Sequence, residues 1–297
     1  MFWQKKKPKR KTKKVPPPHI ERQVNAGEQI AKGLTDGIAS TPKKDDVNFN
    51  PEDEQKKPME KKSKNDPKKE FLRVFKQLTN RHRSWDVWRD FIVMYACALS
   101  NPVDKQHYEE REALYLRIIK KYNKQEQPLF SELAAHTVMA LEENPEQDFL
   151  GSIYMSLNLG NQHNGQFFTP YHVCELMAEV TMQDAVMKIE KEGYITINDP
   201  CCGAGATLIA GIHAARKRLE KAGYNYQDHV FVVAQDIDQT VALMCYIQLS
   251  LLGVAGYIKV GNSLTEPITE KDSTENYWFT PMYFFPSWSL RRMFGCM

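Results

Sequence analysis

The sequence predicts an α/β fold, and three strand-then-turn units predict it. Tyr194-Ile195-Thr196-Ile197 is a β-branched apolar run, followed by a glycine turn through Gly203 and Gly205 and a helical pattern from Leu208 to Arg216. Val230-Phe231-Val232-Val233-Ala234 is a second apolar run, which ends in Gln235-Asp236-Ile237-Asp238. Tyr257-Ile258-Lys259-Val260 is a third, closed by Gly261-Asn262-Ser263-Leu264. Apolar strands alternating with helices read as a parallel sheet with covered faces.

The first unit predicts a buried strand, then a turn that a ligand can approach. Gly203 and Gly205 lack a Cβ, so positive φ is allowed and a ligand can lie against the backbone. The first N–H groups of the following helix then point at that ligand. In the second unit, Asp236 sits at a strand tip, where a carboxylate can accept both hydroxyls of a ribose. Asp238 reads as the N-cap of a helix from Gln239 to Leu252, and Gly253 ends it.

Residues 1–68 read as a disordered basic tail. Lys5-Lys6-Lys7-Pro8-Lys9-Arg10-Lys11 is self-repelling, Pro16-Pro17-Pro18 follows, and Pro42–Lys69 is again rich in lysine and proline. Few large apolar side chains offset the entropy of ordering. Such an arm is either a solvated tail or a non-specific phosphate contact. Residues 69–159 read as a helical domain. Phe71, Val74, Phe75 and Leu78 recur at helical spacing, and Ser84 is placed to cap a helix that Asn101-Pro102 breaks. Further helical patterns run over about 104–122, 129–141 and 146–159. Residues 160–297 hold the α/β domain.

Hydrophobic residues make up 42% of the chain, enough for a sizeable core, and the net charge of +3 is concentrated at the N-terminus. Six cysteines occur with no Cys-x-x-Cys pair. That usage reads as reduced thiols in a cytoplasmic protein and not as a metal site. No apolar run is long enough to cross a membrane.

Three motifs carry a resemblance. Asp199-Pro200-Cys201-Cys202-Gly203-Ala204-Gly205 is similar to the Asp-Pro-x-Cys-Gly-x-Gly loop of DNA adenine-N6 methyltransferases, most of all the modification subunits of type I restriction systems. Gly165-Gln166-Phe167-Phe168-Thr169-Pro170 resembles the element that precedes this loop in the gamma arrangement of the family. Gly261-Asn262-Ser263-Leu264 resembles Gly-Asp-[Ser/Thr]-Leu, with Asn262 in place of the acid. The resemblance implies a Rossmann-like, S-adenosylmethionine-dependent methyltransferase sheet and S-adenosylmethionine (SAM) as cofactor. It implies SAM contacts from Phe168, Thr169, Pro170, Asp199, Cys201, Gly203, Gly205, Asp236 and Asn262. Thr169 would meet the methionine carboxylate, and Pro170 would open the next helix at its first position. The implied substrate is double-stranded DNA, with a specificity subunit as partner, and no metal is implied.

The resemblance stops at the catalytic tetrapeptide, [Asn/Asp/Ser]-Pro-Pro-[Tyr/Phe/Trp], which the chain lacks. Asn276 and Phe279 have its outer spacing and are the candidates for its role, without the two prolines between them. A full methyltransferase sheet has seven strands. Three are legible here, residues 277–285 offer a fourth, and no sequence remains for the rest. The aromatic segment Tyr277 to Trp288 is expected to bury against the sheet or another chain. Two functions follow: adenine-N6 methylation of DNA at specific sites, or a non-catalytic SAM- and DNA-binding subunit or regulator. A degenerate gene fragment is the third reading.

Overall fold

The computed structural model describes residues 66–159 and 168–295. The basic tail up to residue 65 and the Gly165-Gln166-Phe167 half of the second motif lie outside the described residues. The order of elements is α1 (Pro67–Thr79), α2 (Ser84–Ser100), α3 (Tyr108–Ile119), α4 (Gln127–Glu143), α5 (Phe149–Ser156), α6 (Tyr171–Thr181), α7 (Ala185–Glu192), β1 (Ile195–Asp199), α8 (Ala206–Lys221), β2 (Val230–Asp236), α9 (Gln239–Leu251), β3 (Ala255–Val260), β4 (Tyr277–Phe279) and α10 (Pro286–Met293).

The sheet has strand order β1-β2-β3-β4. The first three strands are parallel, and β4 runs antiparallel to β3 with Phe279 opposite Tyr257. Alternation sorts the side chains between two layers. Val230, Val232, Ala234 and Ile258 join the main core with α8 and α9, whereas Phe231 and Ala255 pack under Trp288 of α10. The aromatic C-terminal segment therefore buries against this sheet, as its composition predicts. Trp288 Nε1 donates to Gln227 O at 2.7 Å and fixes α10 at the N-terminal end of β2. In β3, a Cβ on Gly256 would come within 2.2 Å of Val232 O, so only glycine fits there.

The expectation that the first strand is buried needs correction. β1 is an edge strand among the described residues, with Thr196 and Asn198 exposed. Apolar β-branched composition reports only one covered face: Ile197 packs toward Gly211 of α8, while nothing comparable covers the other side. A cavity of about 310 Å³ lined in part by Met182, Lys188, Tyr194 and Thr196 lies beside the start of this strand.

Helices α1–α5 share the main core with α9. Asp66 caps α1 by accepting from Lys68 N–H at 3.0 Å, so the helix starts three residues before the apolar pattern does. Ser84 is the first residue of α2 and makes no cap bond, because Arg83 holds the N-cap position. Phe71 meets Trp88, Phe91 and Phe149 edge-on at 5.6–6.1 Å between ring centroids, the preferred aromatic geometry.

The far edge of the sheet is locked by buried charge. Arg111 of α3 donates to Asp104 Oδ2 at 2.7 Å and to Ser100 Oγ at 2.5 Å. Its other nitrogen donates to Tyr277 O at 2.7 Å, and the guanidinium lies 4.0 Å from the centre of the Trp278 ring. His107 Nδ1 is 2.8 Å from the same Asp104 oxygen. A three-residue strand has little pairing of its own, and this network holds it.

Candidate functional site

The C-terminal ends of β1, β2 and β3 point the same way, and the turn after each meets its neighbours. This is the end of a parallel sheet at which ligands bind in α/β folds. The cavity beside Tyr194 and Thr196 is at the opposite end of β1.

The first turn is the glycine loop. Gly203 has φ +52° and Gly205 φ +96°, a region that favours glycine. A Cβ on Gly205 would sit 2.8 Å from Cys245 Sγ, so the loop also lies too close to α9 for any side chain there. Gly205 is the N-cap of α8 and makes no side-chain cap, which leaves the first N–H groups of that helix facing the cleft. Asp199 Oδ1 accepts from Cys201 N–H at 3.0 Å and shapes the entry to the loop.

The second turn brings Asp236. Its Oδ2 accepts from Gly203 N–H at 2.8 Å and its Oδ1 from Asp238 N–H at 2.9 Å. The strand-tip carboxylate is thus joined directly to the glycine loop. Burial pushes the Asp236 carboxyl up, against the two backbone donors, and burial does the same to Asp199. Asp238 caps α9 by accepting from Thr240 N–H at 2.8 Å, as its position in the sequence predicts.

The third turn is Gly261 to Leu264. Gln235 Nε2 donates to Gly261 O and Glu266 O, and Gly261 N–H donates to Asp236 O at 2.9 Å. Asn262 Oδ1 accepts from Leu264 N–H at 2.9 Å, a local Asx turn. Cys201 Sγ lies 3.9 Å from Ser263 Oγ, so the first and third turns touch across the tip of β2.

Phe168 closes the set. Its ring lies 3.4 Å from where a Cβ on Gly203 would be, and it stacks on Tyr154 with centroids 5.5 Å apart. Thr169 is exposed, and its carbonyl accepts from Cys174 Sγ at 3.8 Å. Pro170 is the N-cap residue of α6 and not its first helical residue. Its extended backbone lets its carbonyl accept from Val173 N–H at 2.9 Å.

The structure therefore brings Phe168, Asp199, Cys201, Gly203, Gly205, Asp236 and Asn262 to one end of the sheet. Thr169 and Pro170 follow Phe168 directly. Asn276 and Phe279 lie on the opposite outer side of the sheet from the glycine loop. Asn276 immediately precedes β4, level with the C-terminal end of β3 because Tyr277 pairs with Lys259, and Phe279 ends β4 opposite Tyr257; β4 itself lies three strand spacings, about 14 Å, from β1. Phe279 packs among aromatic rings, with Tyr283 at 4.5 Å and Tyr257 at 6.0 Å between centroids.

Two large apolar side chains at these turns, which motif reading did not single out as site residues, are exposed. Ile237 is 67% exposed and Leu264 90% exposed, one at each of two converging turns. Their order in the sequence, each beside a polar motif residue, was the available sign. Among the described residues no cluster of His, Cys, Asp and Glu could hold a metal ion, and no helix is long and apolar enough to cross a membrane.

No curated protein matches the chain. A crystal structure of a Listeria monocytogenes protein assigned to the class I S-adenosylmethionine-dependent methyltransferases is similar over 75% of this chain and 69% of that one. The identity is 15% and the TM-score 0.40, too loose a likeness to bear on the site. Residues 146–292 match the N-6 DNA methylase family, a segment that contains the whole sheet and all the converging turns. In that segment the chain is similar to the N-6 DNA methylase family, whose cofactor is S-adenosylmethionine.

Proposed function

We propose that this chain binds SAM at the converging turns and serves methyl transfer to the N6 amino group of adenine in double-stranded DNA, together with a partner that reads the sequence. The observation that carries the reading is the direct bond between the strand-tip carboxylate of Asp236 and the Gly203 N–H of the loop. It couples a ribose acceptor to a backbone cradle within one hydrogen bond.

The residues fit the cofactor. Gly203 and Gly205 admit it against bare backbone, and the N-terminus of α8 faces its anionic end. Phe168, Thr169 and Pro170 cover the methionine end, with the Thr169 hydroxyl as a donor. Asp236 accepts from the ribose hydroxyls, while Ile237 and Leu264 flank the adenine and Asn262 meets its polar edge. Asp199 and Cys201 border the loop. The bound sulfonium supplies a methyl group that is already activated, so the protein's work is to bind, orient and exclude water.

A second reading is favoured by one observation. The Pro-Pro tetrapeptide is missing from the sequence, and of the candidates for its role Asn276 precedes β4 and Phe279 ends it, on the outer strand opposite the loop. That favours a SAM- and DNA-binding subunit which leaves the target amine to be held by another protein. The lysine-rich arm suits either reading, as a sequence-independent phosphate contact.

Calorimetric titration with SAM tests the site, and a map of N6-methyladenine in host DNA with and without the gene tests the reaction. Binding with loss of methylation at one defined motif is the expected pair. Binding with no change in methylation selects the second reading, and no binding overturns both.

A further inference from the structure

One buried polar side chain bonds the glycine loop without belonging to the cofactor site as described. Gln248 is 0% exposed and stands in α9 among buried apolar residues. Its Oε1 accepts from Leu150 N–H at 3.1 Å. Its Nε2 donates to Asp148 Oδ1 at 2.8 Å and to Ala204 O at 2.9 Å. The amide oxygen and nitrogen together meet three partners on two segments, the start of α5 and the glycine loop. One of these, Ala204, is the residue between the two positive-φ glycines.

The rest of the loop is read in the same way. Cys202 N–H donates to Gln235 O at 3.0 Å, and Gly203 N–H donates to Asp236. Gly205 packs on Cys245. Four consecutive loop residues thus each meet one residue of β2 or α9. Cys245 and Gln248 are three apart and share one helix face. The Ala204 carbonyl has its partner in Gln248 alone among these, and Gln248 in turn is held by the start of α5. Asp148 also accepts from Gly151 N–H at 2.8 Å, and a Cβ on Gly151 would collide with that carboxylate. The α5 terminus, the helix α9 and the loop are therefore one bonded unit.

We infer that Gln248 is the positioning residue of the glycine loop: by binding the Ala204 carbonyl and the α5 N-terminus together, it holds residues 203–205 in the conformation that receives the cofactor. It touches no ligand atom in this role. The inference rests on the loop being the SAM site, and its test includes a readout that does not.

The test compares Gln248→Met with Leu243→Ala in the full chain. Methionine keeps the length and helix propensity of glutamine but donates nothing to Ala204 or Asp148. Leu243 is fully buried on the same helix, two residues before Cys245 and so about 200° round from it. Both variants lower the melting temperature. Hydrogen exchange of the backbone amides of 202–206 is measured relative to that of α2, and SAM affinity is measured by calorimetry. In Gln248→Met, loop exchange is expected to rise about tenfold over that of α2, with SAM affinity about tenfold weaker, the loss of one buried bond. In Leu243→Ala both readouts should stay within about twofold, because that cavity is remote from the loop. Should the methionine variant fail to fold, Gln248→Ala carries the same expectation. Loop exchange no faster, relative to α2, than in Leu243→Ala overturns the inference. If the unmodified chain binds no SAM, the proposed function falls, and the exchange comparison still decides whether Gln248 holds the loop.

Discussion

The two outer strands of the sheet are treated in opposite ways. At β4 the buried charge is paired: Arg111 is bonded to Asp104, Ser100 and Tyr277 O, and its face rests on Trp278. At the end of β1, Asp199 keeps a carboxyl that burial pushes up, Cys201 is exposed, and Asn198 faces water. A satisfied charge network fixes a strand and leaves nothing for a ligand. Half-satisfied carboxylates beside an open glycine turn store the opposite, an affinity that the fold alone does not use. The difference bears on the proposed cofactor site: open, partly satisfied groups gather at the β1–β2 tips, whereas β4, which carries the candidate Phe279, is packed into the fold.

The comparison breaks most sharply at Gly205. Gly205→Val combines about 1–2 kcal/mol of left-handed backbone strain with overpacking against Cys245. SAM affinity should fall about 100-fold or more by calorimetry. Measurable binding near the unmodified value would remove the loop from the site.

Arg111→Met should do the reverse. It strands the buried Asp104 carboxylate and should cost about 3–5 kcal/mol in denaturant unfolding. SAM affinity of the folded fraction should change by about twofold or less, since no Arg111 contact reaches the loop. A large affinity loss at unchanged stability would mean that the two ends are not separate.

Asp236→Asn sharpens the contrast with a smaller effect. It removes the charge that strengthens acceptance from the ribose, and affinity should fall about 10- to 100-fold with little change in melting temperature. The same carboxyl predicts two pH profiles of opposite sign. Asp199 and Asp236 are both raised by burial, so the folded protein holds protons that the unfolded chain releases. Their contribution to stability is fully present in acid, below the ordinary carboxylate value, and is lost as pH rises through the raised folded values. Affinity for SAM runs the other way: it grows as pH rises through those values, because the ribose hydroxyls need an ionised acceptor. Calorimetry and thermal unfolding over the acid range check both signs, and parallel profiles would contradict the assignment.

The smallest effect is expected at the motif-like residue. Phe279→Leu loses aromatic contacts with Tyr283 and Tyr257 and should cost about 1 kcal/mol of stability. SAM affinity and any methyl transfer to DNA should stay within about twofold. A collapse of transfer at intact affinity would restore Phe279 to catalysis.

What the sequence made legible was local. The β2 strand, the Asp238 cap and the Gly253 stop follow from residues in contact along the chain, and the structure has them at those positions. The Asp-Pro-x-Cys-Gly-x-Gly loop likewise lies between β1 and α8. What depended on neighbours remote in sequence was hidden. Composition could not tell that β1 has a covered side on α8 and an exposed one. Gln248 reads as an interruption in an apolar helix until its three partners are brought to it. Arg111 sits in a charged helical pattern, where a buried cation looks the same as a solvated one. Ile237 and Leu264 look like core residues until exposure separates them from the core.

Trp288 has one further consequence, in time. It covers Phe231 and Ala255, yet it is made 52 residues after Asp236 completes β2. At bacterial-to-eukaryotic synthesis rates that gap lasts roughly 3–10 s. Throughout it the nascent sheet has one greasy face with no lid, a surface open to clumping on the ribosome, and the arrival of α10 is what ends that exposure.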